Sequence, residues 1–232
     1  MFLPRLNILP ERQRLLWPTL SPLAREGFVL YGGTAIALRY GHRVSVDFDF
    51  FSARPLDRLA LARALPWLPD ARVLQDQPET LTVLSTEPTL SRQIERKSDQ
   101  ETAVKVSFFG GLTVSRLQDP DPSGDGVALV ASPLDLLATK LKMTLQRAER
   151  KDYDDDVTVL LQSGLALADG LAGSRALYGP TFPISECLKA LLFFGDGDLA
   201  GVPLSQRQQL EEAVLAIEAI PQLELVGVDL CP

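Results

Sequence analysis

Two aspartates separated by one residue, Asp47 and Asp49, are the side chains whose type and spacing most clearly suggest chemistry. They alternate with Phe48 and Phe50, and a period of two predicts a β-strand that carries both carboxylates on one face. Two neighbouring ionised carboxylates repel each other unless a proton or a cation neutralises one of them. Mg²⁺ or Mn²⁺ binds carboxylate oxygens and keeps positions for phosphate oxygens. The pattern predicts a metal site for phosphoryl or nucleotidyl transfer; a solvated edge strand is the alternative.

A glycine turn precedes this strand. The sequence Gly32-Gly33-Thr34 joins a predicted buried strand at residues 28–31 to a predicted helix at residues 34–40, for which Thr34 is the expected cap. Unpaired N–H groups at the start of a helix favour an anion, and glycine lets a phosphate approach the backbone. The turn is therefore a candidate nucleotide-binding element, although an ordinary tight turn has the same sequence.

Arg43 and Ser45 lie between the turn and the acidic strand. The planar guanidinium of Arg43 can neutralise Asp47 or bind a phosphate. Ser45 joins the predicted nucleotide-binding group, while a purely local hydrogen bond would explain it equally well.

Composition narrows the chemistry further. The 232 residues are 46% hydrophobic and carry a formal charge of -7, which disfavours a long phosphate backbone as the partner of the whole surface. A single histidine, His42, and two distant cysteines disfavour zinc sites and Ser-His-Asp catalysis. We find neither a signal peptide nor an apolar run long enough to span a membrane. The expectation is a cytoplasmic protein without membrane association, in which carboxylates and lysines carry the chemistry.

The order of elements predicts an α+β fold, in which a nucleotidyltransferase-type mixed β-sheet flanked by helices is followed by a C-terminal helical lobe. Residues 1–131 are predicted to form the sheet core with an N-terminal helix, and residues 132–232 the helical lobe that completes the active-site cleft. Further strands are predicted at residues 44–51, 71–75, 81–86, 103–109 and 127–130, with 112–117 pairing with 103–109. Ser132 is the predicted cap of the first long helix, with Pro133 at its first position.

Residues 30–38 followed by residues 43–51 resemble the AbiEii/AbiGii toxin family of nucleotidyltransferases, within the polymerase-beta-like superfamily. Its first motif is a Gly-Gly-Ser/Thr turn followed by an Arg-x-Ser-x-Asp-x-Asp strand. Residues 134–140 resemble the lysine helix of the family, and residues 151–155 resemble its Lys-Asp-Tyr-x-Asp motif.

The resemblance implies roles for residues of the helical half. Lys140 would contact the triphosphate, Asp152 would be the third essential acid, and Asp155 is an additional candidate. Without the resemblance, Lys140 would be a solvated helix charge and Asp152 an acid stabilised at a helix N-terminus.

One feature departs from the superfamily pattern. Related enzymes often carry a further metal-binding carboxylate on a later strand, where residues 103–109 offer Lys105 and Ser107. Three interpretations remain open: Asp152 completes the set, one ion suffices, or catalysis has been lost.

The predicted function is metal-dependent transfer of NMP from an NTP to an acceptor hydroxyl, by a toxin paired with an antitoxin. The resemblance makes RNA, at the 3′ end of tRNA, the first acceptor. Residues 140–151 are locally basic through Lys142, Arg147 and Arg150, which would steer RNA, or they form an ordinary solvated helix face. One alternative is nucleotidylation of a small-molecule or protein hydroxyl. Another is a catalytically inactive nucleotide-binding or interaction module.

Overall fold

The computed structural model describes residues 1–85, 103–113 and 115–231. Packing divides the chain into two units. The sheet unit comprises Met1–Thr113, Pro120–Ala131 and Asp229–Pro232. The helical unit comprises Val114–Asp119 and Ser132–Val228.

The sheet unit contains a mixed sheet whose described strands number seven, in the order β3-β4-β5-β2-β1-β7-β6. β2 lies at its centre, antiparallel to β1 and parallel to β5. β1 also pairs parallel with β7, and the remaining neighbours are antiparallel. The strands are β1 Val29–Tyr31, β2 Asp47–Phe51, β3 Arg72–Gln77, β4 Thr80–Ser85, β5 Val104–Phe109, β6 Asp121–Pro122 and β7 Leu129–Val130. The predicted α+β class with a mixed sheet is confirmed.

Three α-helices are described in the sheet unit: α1 Glu11–Leu16, α2 Gly32–Tyr40 and α3 Arg58–Ala64. The aromatic core explains the alternation in β2. Phe48 and Phe50 are fully buried, with Phe48 stacked on Trp17 at 5.8 Å between ring centroids and Phe50 stacked on Phe108 at 6.1 Å. Because successive side chains of a strand point to opposite faces, burying these rings leaves Asp47 and Asp49 together on the other face.

The helical unit has five described α-helices. α4 begins at Pro133 because the Ser132 side chain accepts a hydrogen bond from the Asp135 amide, which confirms the predicted cap. Asp135 also accepts from the amides of Leu117 and Gln118, and so anchors the preceding segment to the start of α4. The helices are α4 Pro133–Gln146, α5 Arg150–Ser163, α6 Leu167–Tyr178, α7 Ile184–Leu191 and α8 Leu204–Leu215.

Two predicted elements near the site differ from the structure. α2 starts at Gly32 with Tyr31 in the capping position, so Thr34 lies inside the helix instead of capping it. Gly32 makes this earlier start possible because its φ is +76°. β2 begins at Asp47, whereas residues 44–46 lie outside the sheet and leave Val46 exposed.

Two further strand predictions concern residues 112–117 and residues 81–86. Residues 112–117 do not pair with β5 where the structure describes them, since β2 and β4 already occupy both edges of that strand. Within that segment Leu112 donates to Ser52, and Arg116 forms a bridge with Gly227. The prediction at residues 81–86 corresponds to β4, and Thr86 lies outside the described residues.

Among the described helices, none alone has the length and apolar character needed to cross a membrane. α5 and α6 together meet that criterion by length and composition, with a bend of 115° between them.

Candidate active site

Asp49 lies against the first turn of α2. Tyr31 is opposite Asp49 in the antiparallel β1–β2 pair, which brings the carboxylate next to Gly32. A Cβ on Gly32 would lie only 2.9 Å from Asp49 Oδ2, and the positive φ of this residue independently favours glycine. The start of a helix carries unpaired N–H groups and partial positive charge. Asp49 therefore lies where a negative group is stabilised.

Thr34 ties the same helical turn to the segment that enters β2. Its hydroxyl lies 2.8 Å from Ser45 Oγ and donates a hydrogen bond to the carbonyl oxygen of Asp47. Because one hydroxyl has one proton, the Ser45 hydroxyl is the donor in the first contact. Thr34 and Ser45 thus fix the position at which Asp47 begins the strand.

Arg43 places its guanidinium over Gly33. A Cβ on Gly33 would collide with Arg43 Nη2 and would lie 3.2 Å from Ser45 Oγ. Arg43 also donates from Nη1 to the carbonyl of Val44 at 3.1 Å. The amino end of α2 therefore combines a helix terminus, a glycine surface and a planar cation, all of which favour an anion.

Lys105 faces the acidic pair from the neighbouring strand. In the parallel β2–β5 register Asp47 is opposite Lys105 and Asp49 is opposite Ser107. Lys105 Nζ lies 2.7 Å from Asp47 Oδ2, and the two side chains are 39% and 37% exposed. The charge of Asp47 is therefore partly neutralised by the protein itself.

The two carboxylates suit a hard divalent cation that also binds substrate. Mg²⁺ prefers oxygen ligands and is commonly held by one or two carboxylates plus substrate phosphates. Asp47 and Asp49 supply such a pair on one face of β2. Among the described residues, we find no group of three or more His, Cys, Asp or Glu side chains arranged to hold a metal ion. The donor set fits an ion completed by phosphate, and does not form a cage of protein ligands.

A second cluster of charges lies in the helical unit. Lys140 of α4 forms ion pairs with two carboxylates of α5, at 2.8 Å to Asp152 Oδ1 and 2.6 Å to Asp155 Oδ2. The Lys140 side chain is 7% exposed and both aspartates are fully buried. Burial by itself lowers the pKa of Lys140, but the two carboxylates outweigh it and the net pKa is raised. The lysine is therefore charged at any physiological pH.

Arg147 completes the pairing of Asp152. Its Nε and Nη2 donate to the two carboxylate oxygens at 2.7 and 3.0 Å, which is the bidentate geometry that strengthens such pairs. Burial alone would raise the pKa of Asp152, but the hydrogen bonds of Arg147 and the charge of Lys140 lower it overall. Asp152 is therefore ionised, with both oxygens occupied by cations.

Asp156 differs from Asp152 in the direction of its pKa shift. It is fully buried, and burial raises its pKa well above the ordinary value for aspartate. Thr144 Oγ1 lies 2.9 Å from Asp156 Oδ2 and 3.2 Å from the Lys140 carbonyl. A single hydroxyl proton cannot serve both acceptors. If Asp156 carries a proton, it donates to Thr144, which then donates to the Lys140 carbonyl.

The basic segment at residues 140–151 is largely paired. Lys140 and Arg147 bind the buried aspartates, while the Lys142 ammonium lies 3.8 Å from the centre of the Tyr178 ring. Lys151 pairs with Glu149 at 2.6 Å. These contacts reduce the positive charge that the segment offers to a polyanion.

The predicted site residues thus form two groups. Gly32, Gly33, Thr34, Arg43, Ser45, Asp47 and Asp49 come together in the sheet unit. Lys140, Asp152 and Asp155 come together in the helical unit.

Comparison with known proteins identifies the family of this chain. The model of a family described as the nucleotidyl transferase AbiEii toxin of type IV toxin–antitoxin systems matches residues 14–211. The chain belongs to the AbiEii family. AbiEii membership supports nucleotidyl transfer as the class of activity and an NTP as the substrate.

A relative from Aquifex aeolicus (strain VF5), the uncharacterized protein aq_aa25, is 29% identical over 188 residues. The matched region covers 80% of this AbiEii chain and 82% of the relative.

Two members of the helical cluster carry weak sequence signals. The sequence places Arg147 either on a surface that steers RNA or on an ordinary solvated helix face, and it does not predict that Arg147 pairs with Asp152. Asp156 lies next to Asp155 within an acidic run and has no distinguishing spacing. Its burial depends on how α5 packs against α4, which a local pattern does not encode.

We expect Gly32→Ala to abolish nucleotidyl transfer by the AbiEii chain and to destabilise the fold by about 1–2 kcal/mol, the cost of a left-handed backbone at a residue with a side chain. The new methyl group would also displace the Asp49 carboxylate. Transfer rate and chemical denaturation are the measurements.

Gly126→Ala is the matched control for Gly32→Ala. Gly126 has a φ of +74°, and a Cβ there would meet nothing within 4 Å. It should lose similar stability while retaining activity. Equal activity loss in both variants would contradict a specific role for the approach of Asp49 to Gly32.

Proposed function

We propose that this protein transfers NMP from an NTP to an acceptor hydroxyl, using a divalent cation held by Asp47 and Asp49. The observation that carries the proposal is the position of Asp49 against Gly32, beside Asp47 and at the amino end of α2. Two acids next to an anion-binding helix start are what a metal–triphosphate complex requires. Family membership gives the same class of reaction.

The proposed step is an in-line displacement at the α-phosphorus. The acceptor oxygen forms a bond to the α-phosphorus, the bond from that phosphorus to its bridging oxygen breaks, and pyrophosphate leaves with the electron pair. The acceptor proton passes to Asp49, the carboxylate beside Gly32, because Lys140 and Arg147 already hold both oxygens of Asp152. The divalent cation, when bound, supplies Lewis-acid stabilisation of the charge that develops on the phosphoryl oxygens.

Residues of the sheet unit bind and orient the triphosphate in this proposal. The N–H groups of Gly33 and Thr34 at the start of α2 can donate to phosphate oxygens, which the helix dipole also favours. The Arg43 guanidinium, which already lies over Gly33, adds charge-assisted donors. Ser45 keeps this corner in place through its contact with Thr34.

Lys140 is proposed to contact the β- or γ-phosphate. An ammonium group has three N–H donors, and Asp152 and Asp155 account for two of them. The third is the donor that we assign to a phosphate oxygen. Asp152 and Asp155 would then act by fixing the direction of the lysine, with Arg147 restraining Asp152.

We propose an RNA 3′ end, and tRNA in particular, as the acceptor of this toxin. A cognate antitoxin is the expected protein partner, since the family belongs to type IV toxin–antitoxin systems. The structure also favours a second candidate, a small-molecule or protein hydroxyl. Its supporting observation is that Lys140, Lys142 and Arg147 are occupied by aspartates or an aromatic ring, which weakens steering of a long polyanion.

The acceptor can be tested with each of the four NTPs, radiolabelled on the α-phosphorus, and three acceptor preparations. These are total tRNA, the same tRNA with its terminal diol oxidised by periodate, and cell extract depleted of RNA. We expect label on intact tRNA and none on oxidised tRNA. Label in the depleted extract alone would select the second candidate. Nucleotide binding without transfer to any acceptor would favour the inactive module.

A further inference from the structure

Lys105 occupies a position on β5 that would otherwise suit a metal-binding carboxylate. The parallel register places it directly opposite Asp47, on the side of β2 that carries the acidic pair. Its ammonium is 2.7 Å from Asp47 Oδ2. A carboxylate at this position could share ions with Asp47, whereas an ammonium group cannot bind a metal.

The charges around β2 favour a single divalent ion. Asp47 and Asp49 contribute two negative charges and Lys105 one positive charge, and one oxygen of Asp47 already contacts that ammonium. In two-metal sites the ions lie about 3.5–4 Å apart and share ligands between them. A second ion near Asp47 would have to displace the ammonium or lie beside it, and like charges at such distances repel strongly.

We propose that Lys105 is a built-in cation that takes the place of a second metal ion, so that the site works with one divalent ion. This inference rests on the proposed function and deepens it. While Asp47 Oδ2 holds the ammonium, the other carboxylate oxygens of the pair bind the ion. The exposed side of the ammonium then contacts phosphate oxygens of the NTP and stabilises negative charge as the bond to pyrophosphate breaks.

Partial exposure is what this role requires. The Lys105 side chain is 39% exposed, so its ammonium can reach a ligand while it remains paired with Asp47. Ser107, the next residue on the same face of β5, is buried opposite Asp49 and supplies no charge. Lys105 is therefore the β5 side chain suited to meet a triphosphate.

The test counts Mn²⁺ ions bound to the full-length protein in the presence of a non-hydrolysable NTP analogue, by electron paramagnetic resonance of free Mn²⁺ after correction for the analogue alone. We expect one Mn²⁺ per wild-type chain and per Lys105→Arg chain. Lys105→Glu restores a carboxylate opposite Asp47, and we expect it to bind two. Lys142→Glu reverses a charge in the helical unit, where the lysine covers Tyr178, and should still bind one.

Activity gives a second readout. Lys105→Ala should lower kcat by on the order of 100- to 1,000-fold, the range of a lost charge-stabilising donor. Its dependence on Mg²⁺ should become steeper because a second ion can then enter. Lys105→Arg should retain most of the rate. Circular dichroism verifies folding, and the wild-type count stands even if Lys105→Glu does not fold.

Each outcome decides the proposal separately from the function. Two Mn²⁺ ions on the wild-type chain, or one on a folded Lys105→Glu chain, would overturn the role of Lys105 while leaving nucleotidyl transfer intact. The protein could bind one Mn²⁺ ion as wild type and two as Lys105→Glu and yet transfer no NMP. That result would support the one-ion site and reject the proposed reaction.

Discussion

Asp47→Asn is expected to lower the rate of NMP transfer by on the order of 10³-fold or more, because a divalent ion supplies several kcal/mol of transition-state stabilisation and each factor of ten corresponds to about 1.4 kcal/mol. Asparagine keeps the shape of the side chain but removes the charge that binds the ion. Its fold should survive, since the Asp47–Lys105 pair is partly exposed and such pairs stabilise proteins little. Transfer at saturating Mg²⁺ and NTP is the measurement.

Asp76→Asn is the control for this change. Asp76 is an aspartate of β3 in the same sheet, where it pairs with Arg58 at the surface. The chemical substitution and the change in net charge are identical, so transfer should be unchanged. Equal rates for wild type and Asp47→Asn would reject the acidic strand as the metal site.

The second large effect concerns stability. Asp152→Asn should destabilise the protein by about 3–5 kcal/mol, the usual result of removing one partner from a buried ion pair. The substitution leaves Lys140 with one carboxylate and removes the bidentate partner of Arg147. Because small proteins are stable by only about 5–15 kcal/mol, this loss should be evident as a lower midpoint of denaturant unfolding.

Asp156→Asn is the same substitution one turn later in α5, with the opposite expectation. Burial disfavours the charged form of Asp156 in the folded protein, and an asparagine amide can donate a hydrogen bond to Thr144. We expect unchanged or increased stability at pH 7. A loss as large as that of Asp152→Asn would show that Asp156 is ionised and paired in the folded state.

The two aspartates also differ in how they respond to pH. The pKa of Asp152 is lowered by folding, so its contribution is present above the unfolded pKa of about 4 and is lost as the pH falls. The pKa of Asp156 is raised, so its unfavourable contribution grows as the pH rises above the same value. Relative to wild type, Asp156→Asn should therefore gain stability as the pH rises above about 4. The deficit of Asp152→Asn should be largest above about pH 4 and should shrink as the pH falls below that value.

The sequence pattern predicted the elements that depend only on residues close together in the chain. Alternation of Asp47, Phe48, Asp49 and Phe50 predicts a strand with both acids on one face, because strand geometry alone decides it. Ser132 and Pro133 likewise predict the start of α4. The predicted start of α2 at Thr34 is wrong, because the helix begins at Gly32, whose φ of +76° only a glycine adopts without strain.

The sequence pattern did not predict which side chains from distant segments pair with each other. That Lys105 faces Asp47 depends on the register of β5 against β2, and a shift of one residue would have turned Lys105 to the opposite face. Asp152 and Asp155 are predictably on one side of a helix, since they are three residues apart. The position of Lys140 between them depends on the packing of α4 on α5, and Arg147 also pairs with Asp152 at this place.

We expect the acidic pair beside Gly32 to support transfer of the nucleotidyl group. The most direct measurement supplies wild type and Asp49→Asn with an NTP labelled on the α-phosphorus and, in parallel, with the same NTP labelled on the γ-phosphorus. We predict that wild type attaches the α-label to the acceptor and releases the γ-label as pyrophosphate, and that Asp49→Asn does neither. Attachment of the γ-label, or α-label transfer that persists in Asp49→Asn, would contradict this role of the acidic pair.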